Sequence, residues 1–287
     1  MAETTLTPAQ IGQYRVEGYL VVERLFDPDQ IAVVQEAIDT FTRKAFETGD
    51  WEKVMELEPQ CDPSHPVARR IYNPFHQDPV FRNLATDRRV LERITDLIGP
   101  DLALHHSKLN MKPPRVGSVV EWHQDLAYFP HTNDDLVTTL IYLDDATEEN
   151  GCLQVMPRHH SHYFDHRLPD GTFAGMITET VSDGRYGPPK ALPAPAGSAI
   201  FMHCVLPHSS LPNRSEKARR TLIYEYRAAD AVPLHVGPYT EHLEEFSCHL
   251  QGNEARFARF GGPAPSLPVM SGPRKSLYKL QDEAKGK

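Results

Sequence analysis

The first hundred residues place apolar side chains at helical spacing. Thr7-Pro8-Ala9-Gln10 combines a capping residue, a proline at the first helical position and a glutamine three residues after the cap. This pattern predicts a helix, and Gly18 marks its end. The apolar run at residues 19–22 predicts a short strand after it.

Two longer helices follow in the pattern. Apolar residues recur every three or four positions between residues 31 and 46, behind two candidate capping residues, Asp27 and Asp29. A similar period runs through residues 78–98 and ends at Gly99-Pro100. We therefore expect the N-terminal third of the chain to be mostly helical.

After Pro100 the pattern changes to short apolar or alternating segments separated by Pro, Gly, Asn and Asp. Short strands with irregular loops, in a chain with 25 prolines, are typical of a mainly β fold of barrel or jelly-roll type. The predicted strands cover residues 102–111, 118–122, 137–143, 153–156, 199–202 and 221–226.

The length of 287 residues fits one domain. We interpret residues 1–287 as a single domain with a mostly helical part at 1–100, a jelly-roll core at 101–230 and a C-terminal extension and tail at 231–287. The tail after Gly261 is rich in Pro, Gly and Lys, and we expect it to run over the surface. The long loop 159–192, with its turn-rich centre, is a candidate cover for a site.

The formal net charge of −9 argues against nucleic acid or an anionic membrane as a partner. We recognise no secretory signal and no apolar segment long enough to span a bilayer, so we expect a cytoplasmic protein that acts on a small molecule. The sequence leaves the oligomeric state open. The cysteines are widely spaced, without a CxxC pair, which favours buried free thiols; they are Cys61, Cys152, Cys204 and Cys248.

The stretch WHQDLAYFP, residues 122–130, carries the first candidate chemistry. If residues 118–125 form a strand and its exit, His123 and Asp125 point to the same face, because side chains alternate along a strand. An imidazole and a carboxylate on one face are two members of the 2-His-1-carboxylate site, which suits non-haem Fe(II). A second histidine has to come from a distant segment.

A predicted strand over residues 199–207 offers two candidates for that histidine, His203 and His208. They are five positions apart, so in a regular strand only one of them faces the metal, and the spacing alone leaves the choice open. Downstream of His208, the sequence delivers Ser210 and the pair Arg219-Arg220. A guanidinium group close to a metal can bind a carboxylate through two parallel hydrogen bonds.

The chain resembles the phytanoyl-CoA dioxygenase family of Fe(II)- and 2-oxoglutarate-dependent oxygenases. The similar segments, in order, are QYRVEGYLVVERLF, Lys112-Pro113-Pro114, HQDLAYFP, the run ENGCLQVMP at residues 149–157 and HSSLPNRSEKARR. They extend over most of the chain, roughly from Thr7 to Phe260, which makes the resemblance far more specific than a lone HxD pair.

The resemblance implies a double-stranded β-helix, or jelly roll, with flanking N-terminal α-helices. It also implies an enzyme that needs Fe(II), 2-oxoglutarate as cosubstrate and O2, and that hydroxylates a small organic substrate with release of succinate and CO2. The implied iron ligands are His123, Asp125 and His208. Arg219 and Ser210 match the residues that bind 2-oxoglutarate in the family, and Lys108 is a further candidate for that role.

Two other functions remain open at this point. A jelly roll with the same residues could be a non-oxidative metal enzyme, or a binding protein that senses 2-oxoglutarate or oxygen. Zinc or nickel in the native protein, without affinity for 2-oxoglutarate, would indicate the non-oxidative metal protein. Intact ligands with uncoupled decarboxylation of 2-oxoglutarate would indicate the sensor.

The substrate contacts are less well marked in the sequence. Tyr128, Phe129 and His131 follow the first two metal ligands, and packing explains the two aromatic side chains equally well. Arg158 and Arg185 are candidates to meet an anionic group on a substrate.

Overall fold

The computed structural model describes residues 5–59, 64–181, 186–235, 244–265, 267–268 and 275–286. Cys61, Arg185 and the centre of the loop predicted as a cover lie outside these residues. Within the described part of the chain, no helix is long and apolar enough to cross a membrane.

The first helix and strand confirm the pattern at the N-terminus. Helix α1, Pro8–Glu17, begins with the reciprocal hydrogen bonds of a capping box: Thr7 accepts from the backbone of Gln10, and the Gln10 side chain accepts from the backbone of Thr7. Gly18 ends the helix in the left-handed conformation, with φ of 82°. Strand β1, Tyr19–Val22, follows directly.

Helix α2, Pro28–Thr48, uses Asp27 rather than Asp29 as its N-cap. The predicted helix over residues 78–98 is wrong as a single element, because two helices, α5 (Pro79–Ala85) and α6 (Arg88–Ile98), replace it. Asp87 accepts a hydrogen bond from the backbone of Arg89 and starts the second helix. Apolar residues keep the helical spacing on both sides of this break, so the sequence pattern does not reveal it.

Further helices are α3 (Trp51–Val54), α4 (Pro74–Gln77) and α7 (Leu277–Lys285). The strands after β1 are β2 (Met55–Leu57), β3 (Ala68–Tyr72), β4 (Leu102–Lys112), β5 (Val120–His123), β6 (Leu136–Tyr142), β7 (Leu153–Val155), β8 (Lys190–Ala191), β9 (Ala199–His203), β10 (His208–Ser210), β11 (Arg219–Ala228) and β12 (Cys248–Gln251). All six predicted strands are present, with ends shifted by at most two residues. The pattern missed β2, β3, β8, β10, β12 and the helices α3, α4 and α7.

The strands form two sheets with antiparallel neighbours. The larger sheet has the order β1-β9-β6-β11-β4-β3-β2, with β12 beside β4, and the smaller has the order β5-β10-β7-β8. This mainly β, two-sheet arrangement with N-terminal helices agrees with the predicted jelly roll.

Strand β11 shows how the larger sheet separates the apolar core from the site. Tyr224 and Tyr226 face the N-terminal helices, where their hydroxyls donate to the carbonyls of Phe81 and Ala85. The alternate residues point to the other face of the sheet. Those residues are Arg219, Thr221, Ile223 and Glu225. The helices thus cover one face, and Arg219, Thr221 and Glu225 place polar groups on the face that holds the site.

Two expectations about the later chain are wrong. Strand β9 stops at His203 and residues 204–207 turn, so His208 starts a strand of the smaller sheet and no single strand carries both histidines. The tail does not simply run over the surface, because α7 has a buried face. Gln281 on that face donates to the carbonyl of Gly175 and accepts from the backbone of Glu121.

Candidate active site

Three side chains from the smaller sheet and its adjoining turn converge on one point. His123 and His208 are partners across β5 and β10, with ring centroids 4.0 Å apart. Asp125 opens a 3-10 turn just after β5, and its oxygens lie 3.9 Å from His123 Nε2 and 3.7 Å from His208 Nε2. One ligand atom from each residue lies within 4.8 Å of the other two. All three residues are buried.

Backbone carbonyls fix the two imidazole rings. Nδ1 of His123 lies 2.8 Å from the carbonyl of Glu121, and Nδ1 of His208 lies 3.0 Å from that of Leu206. A carbonyl only accepts, so each Nδ1 carries the hydrogen and each Nε2 keeps its lone pair for a metal. Burial lowers the pKa of both histidines, which favours the neutral ring that a metal binds.

The Asp125 carboxylate is held ionised from two sides. Burial alone would raise the pKa of Asp125, but the ammonium group of Lys108 brings it below its usual value, and the hydrogen bond from Thr138 acts in the same direction. Lys108 Nζ lies 3.5 Å from one carboxylate oxygen, and the Thr138 hydroxyl lies 2.8 Å from the other. These contacts orient the carboxylate as outer partners of metal ligands commonly do.

A second carboxyl group, Glu225, lies behind these partners. Its oxygens are 3.0 Å from Lys108 Nζ and 2.6 Å from the Thr138 hydroxyl. Burial, and then Asp125, raise the pKa of Glu225 to about 7. A hydroxyl has one hydrogen to donate, so Thr138 satisfies both carboxyl groups when it donates to Asp125 and accepts from a protonated Glu225.

A cavity of about 40 Å³ extends from the three side chains toward Arg219. Arg219 and Ile223 both line this cavity and stand four residues apart on one face of β11, so the cavity runs along that strand. Arg219 is 4% exposed; one guanidinium nitrogen donates to Thr221, and within the described residues Nε has no partner. Ser210, two residues after His208, lines the same cavity.

The residues of this cavity fit the implied metal and cosubstrate. Two neutral imidazoles and one carboxylate, close together and buried, are the donor set of a non-haem Fe(II) site. A buried guanidinium that lacks a carboxylate partner calls for an anion. A dicarboxylate that reaches from the metal position to Arg219 would supply it.

A second cavity, of about 60 Å³, adjoins the first on the side of β3 and β4. The two cavities share Arg70, Lys108, Asp125 and Leu277. We call the cavity toward Arg219 the inner cavity and the other one the outer cavity. Tyr128 and Phe129 both line the outer cavity, as do Tyr72, Asn73, His106, Ser107, Lys275 and Ser276.

The structure does not bring every predicted residue to this group. His131 lines neither cavity, and its Nδ1 bonds to the carbonyl of Phe129. Arg158 lines neither cavity either, and its guanidinium pairs with Glu17 at 2.8 Å. His203 lies away from the three converging side chains, with Nε2 3.8 Å from Asp134. The sequence did not point to Thr138 and Glu225 beside the metal ligands, nor to Arg70 and the segment that leads into α7 at the cavities.

Comparison with known proteins supports the same class. A family model described as Phytanoyl-CoA dioxygenase (PhyH) matches residues 14–221. A probable alpha-ketoglutarate-dependent hypophosphite dioxygenase of Stutzerimonas stutzeri is 32% identical over 226 residues, which cover 77% of this chain and 79% of that protein. An ectoine dioxygenase of Stutzerimonas stutzeri strain A1501 is 25% identical over 239 residues, with coverage of 77% and 76%.

The crystal structure of EctD from S. alaskensis with bound Fe has a TM-score of 0.71, with 22% identity and coverage of 87% of this chain and 88% of that chain. At this identity the likeness concerns the fold, and it confirms the predicted jelly roll. Fold, buried donor set and relatives together define a non-haem iron oxygenase that uses 2-oxoglutarate and O2. Within that class, the chain belongs to the phytanoyl-CoA dioxygenase family.

Proposed function

We propose that this enzyme hydroxylates a small molecule with Fe(II) held by His123, Asp125 and His208, and with 2-oxoglutarate lying between the iron and Arg219. One observation carries the proposal. Two Nε2 atoms and a carboxylate oxygen meet within 4.8 Å at one end of a cavity, and toward the other end lies a buried guanidinium without an ion pair among the described residues.

Each residue has a defined task in this proposal. The iron, when bound, activates oxygen at the expense of 2-oxoglutarate, which is converted to succinate and CO2. The chain orients both imidazoles through backbone carbonyls, and Lys108 with Thr138 keeps Asp125 ionised and in place. Arg219 and Ser210 bind the distal carboxylate of 2-oxoglutarate. Burial of these groups keeps water away from the reacting atoms.

The relatives suggest where a substrate search starts. Their names include hypophosphite and ectoine as substrates, and both compounds are small. We propose a small-molecule substrate for this chain as well, and hypophosphite and ectoine are the first compounds to test.

The first experiment is to load the protein with Fe(II) under anaerobic conditions, add 2-oxoglutarate, admit oxygen and measure succinate. Wild type is expected to form succinate slowly without substrate and faster with it. His208→Ala is expected to lose activity and Fe(II) binding together, because it removes one of three ligands. His203→Gln is the matched control, since His203 is the other histidine of the same region and lies away from the ligands.

Succinate formation by His208→Ala at the wild-type rate would contradict the ligand assignment. Wild-type protein that binds zinc or nickel tightly and has no affinity for 2-oxoglutarate would support a non-oxidative metal enzyme instead.

A further inference from the structure

The outer cavity contains a cation for which the proposed reaction has no use. Arg70 of β3 is 6% exposed, and its Nε donates to Asn110 at 2.9 Å. Among the described residues, no carboxylate forms an ion pair with its guanidinium. Its neighbour Arg69 differs in this respect, because Arg69 pairs with Glu56 at 2.6 Å. A buried guanidinium that retains free donors is costly unless a ligand supplies an anion.

The other cations around the outer cavity already have partners. Lys108 pairs with Asp125 and Glu225, and Lys275 pairs with Glu283. Glu56 lies opposite Arg70 across β2 and β3, and Arg70 lowers the pKa of that carboxyl, but the hydrogen bonds of Glu56 go to Arg69, Tyr72 and Ser276. Among the described residues, the terminal nitrogens of Arg70 are therefore the donors left for a ligand. Arg70 also stacks on the ring of Tyr278, with 4.9 Å between the guanidinium carbon and the ring centroid. This contact holds the planar guanidinium in a fixed orientation.

The N-terminus of α7 lies at the same cavity. Ser276 caps this nine-residue helix, and both Ser276 and Leu277 line the outer cavity. The positive end of a helix dipole favours a negative group nearby. The Ser276 hydroxyl donates to Glu56 at 2.6 Å, so one carboxylate already lies beside this helix end. The terminal donors of Arg70 are a separate feature, and Arg70 lines the cavity that the helix end borders.

The two carboxylates of 2-oxoglutarate do not meet this demand. In the proposed function one of them belongs to the iron and the other to Arg219, at the far side of the inner cavity. Arg70 lines both cavities and therefore faces the compartment in which the second reactant has to lie.

We infer that the substrate carries a small anionic head group, a carboxylate or a phosphorus oxyanion, which Arg70 binds in the outer cavity beneath the first turn of α7. The inference rests on the proposed function and names the chemical class of its substrate. The fork of the guanidinium binds two oxygens of the head group, and the rest of the substrate extends past Tyr128 and Phe129 toward the metal position.

The α7 helix makes this cavity a feature that the family match does not define. That match ends at residue 221, and α7 lies beyond it. The helix is nevertheless tied to the ligand strand, because Gln281 bonds to the backbone of Glu121, two residues before His123. Lys285 also pairs with the Glu121 side chain at 2.6 Å. A head group beneath the first turn of α7 therefore lies against an element that is bonded to the strand holding an iron ligand.

The test uses calorimetry on full-length protein loaded with Mn(II) and 2-oxoglutarate, which binds ligands without turnover. Three probes share a methyl group: acetate, methylphosphonate and neutral acetamide. We expect at least one of the two anions to bind wild type more tightly than acetamide does. We expect Arg70→Met to weaken that binding at least tenfold while the affinity for 2-oxoglutarate changes less than threefold. The tighter of the two anions identifies the head group.

Two further variants keep the test decisive. Arg70→Lys keeps the charge and loses the fork, so an intermediate affinity is expected from it, and it replaces Arg70→Met if that variant does not fold. Arg88→Met removes an arginine on the outer surface of α6 and is expected to bind the probes as wild type does.

Three results would overturn the inference. They are equal anion binding by wild type and Arg70→Met, no preference for either anion over acetamide, and a loss of 2-oxoglutarate affinity in Arg70→Met as large as that in Arg219→Met. Wild type that does not bind 2-oxoglutarate at all would instead be a failure of the proposed function.

Discussion

The inner and outer cavities meet at Asp125 but are built in different ways. The inner cavity is lined, apart from Asp125 and Leu277, by residues of β-strands between positions 70 and 223. The outer cavity takes three of its residues from segment 275–277. Two more, Tyr128 and Phe129, come from the segment that follows the 3-10 turn opened by Asp125. Hydrogen bonds between strands fix the inner cavity in register. The outer cavity rests on the paired strands β3 and β4 on one side, while loops and the start of α7 form its other side.

This difference separates the groups expected to carry the reaction with 2-oxoglutarate from those expected to bind the substrate. A site built on paired strands holds its groups more exactly than one built on loops, and the reaction with 2-oxoglutarate needs such fixed groups. A change in the inner cavity is therefore expected to affect every turnover. A change in the outer cavity is expected to affect the substrate while leaving 2-oxoglutarate alone.

The largest expected effect is at the Arg219 end of the inner cavity. Arg219→Lys loses the paired donors and is expected to raise the KM for 2-oxoglutarate by roughly 10- to 100-fold, because hydrogen bonds to charged groups contribute about 1.5–3 kcal/mol. Steady-state kinetics with 2-oxoglutarate as the varied reactant checks this. Arg220→Lys is the matched control, since Arg220 pairs with Asp144. Equal effects of the two substitutions would contradict the assignment.

The hydroxyl that holds Asp125 is expected to affect the metal. Thr138→Val removes the hydrogen bond to Asp125 and is expected to lower the affinity for Fe(II) by about 10- to 100-fold, as the loss of such outer partners commonly does. Metal titration under anaerobic conditions measures it. Thr139→Val is the control, because the Thr139 hydroxyl has no partner in the described part of the chain. Unchanged metal affinity in Thr138→Val would show that Lys108 alone orients the carboxylate.

A smaller effect is expected on the outer side. Gln281→Met removes two hydrogen bonds that tie α7 to Gly175 and Glu121. Binding of the anionic probe is expected to weaken by about 3- to 10-fold, which corresponds to one or two ordinary hydrogen bonds. The same calorimetry measures this, and the affinity for 2-oxoglutarate is expected to stay unchanged. A parallel loss of both affinities would mean that the two cavities are not independent.

The smallest effect concerns the pH dependence of stability without metal. Folding raises the pKa of Glu225 from 4.5 to about 7, so the folded form keeps a proton that the unfolded form has lost. The contribution of Glu225 to stability therefore falls as the pH rises from about 4.5 to about 7, and Glu225→Gln is expected to flatten this part of the curve.

Glu56, beside the outer cavity, is expected to behave in the opposite way. Burial would raise its pKa, but Arg70, Ser276 and Arg69 lower it below 4.5. Its contribution to stability is present above that value and is lost as the pH falls through the lowered pKa. Urea unfolding of the metal-free protein at a series of pH values measures both effects. The same sign of change in Glu225→Gln and Glu56→Gln would contradict the two assignments.

The sequence specified much of the fold and of the inner cavity. Helix caps, apolar periods and strand alternation are local signals. They predicted α1, α2 and the six strands expected after Pro100 within a few residues. The choice of His208 came from the resemblance, because the parity rule assumed a strand that in fact stops at His203. A turn that transfers the chain from one sheet to the other has no strong local signature.

The outer cavity was hidden for two different physical reasons. Strand β3, with sequence ARRIY, owes its conformation to pairing with β4, and that pairing is a long-range contact that no period in the sequence reveals. The helix α7 did leave a signal, because Leu277, Leu280 and Ala284 recur at helical spacing. The residues before it are rich in Pro and Gly, which is typical of irregular chain and hides the start of the helix.

The carbonyl contacts of the two ligand histidines have a consequence for the evolution of such sites. Each ring is fixed by the carbonyl two residues earlier in its own chain segment, and His131 and His166 make the same contact without lining either cavity. The orientation of each ligand histidine is thus encoded in three consecutive residues, whereas that of Asp125 depends on Lys108 and Thr138 across the pocket. Selection, or a protein engineer, can exchange residues of the outer cavity other than Asp125 and Lys108 one by one while both imidazole rings stay aligned, so new substrates become accessible without rebuilding the metal centre.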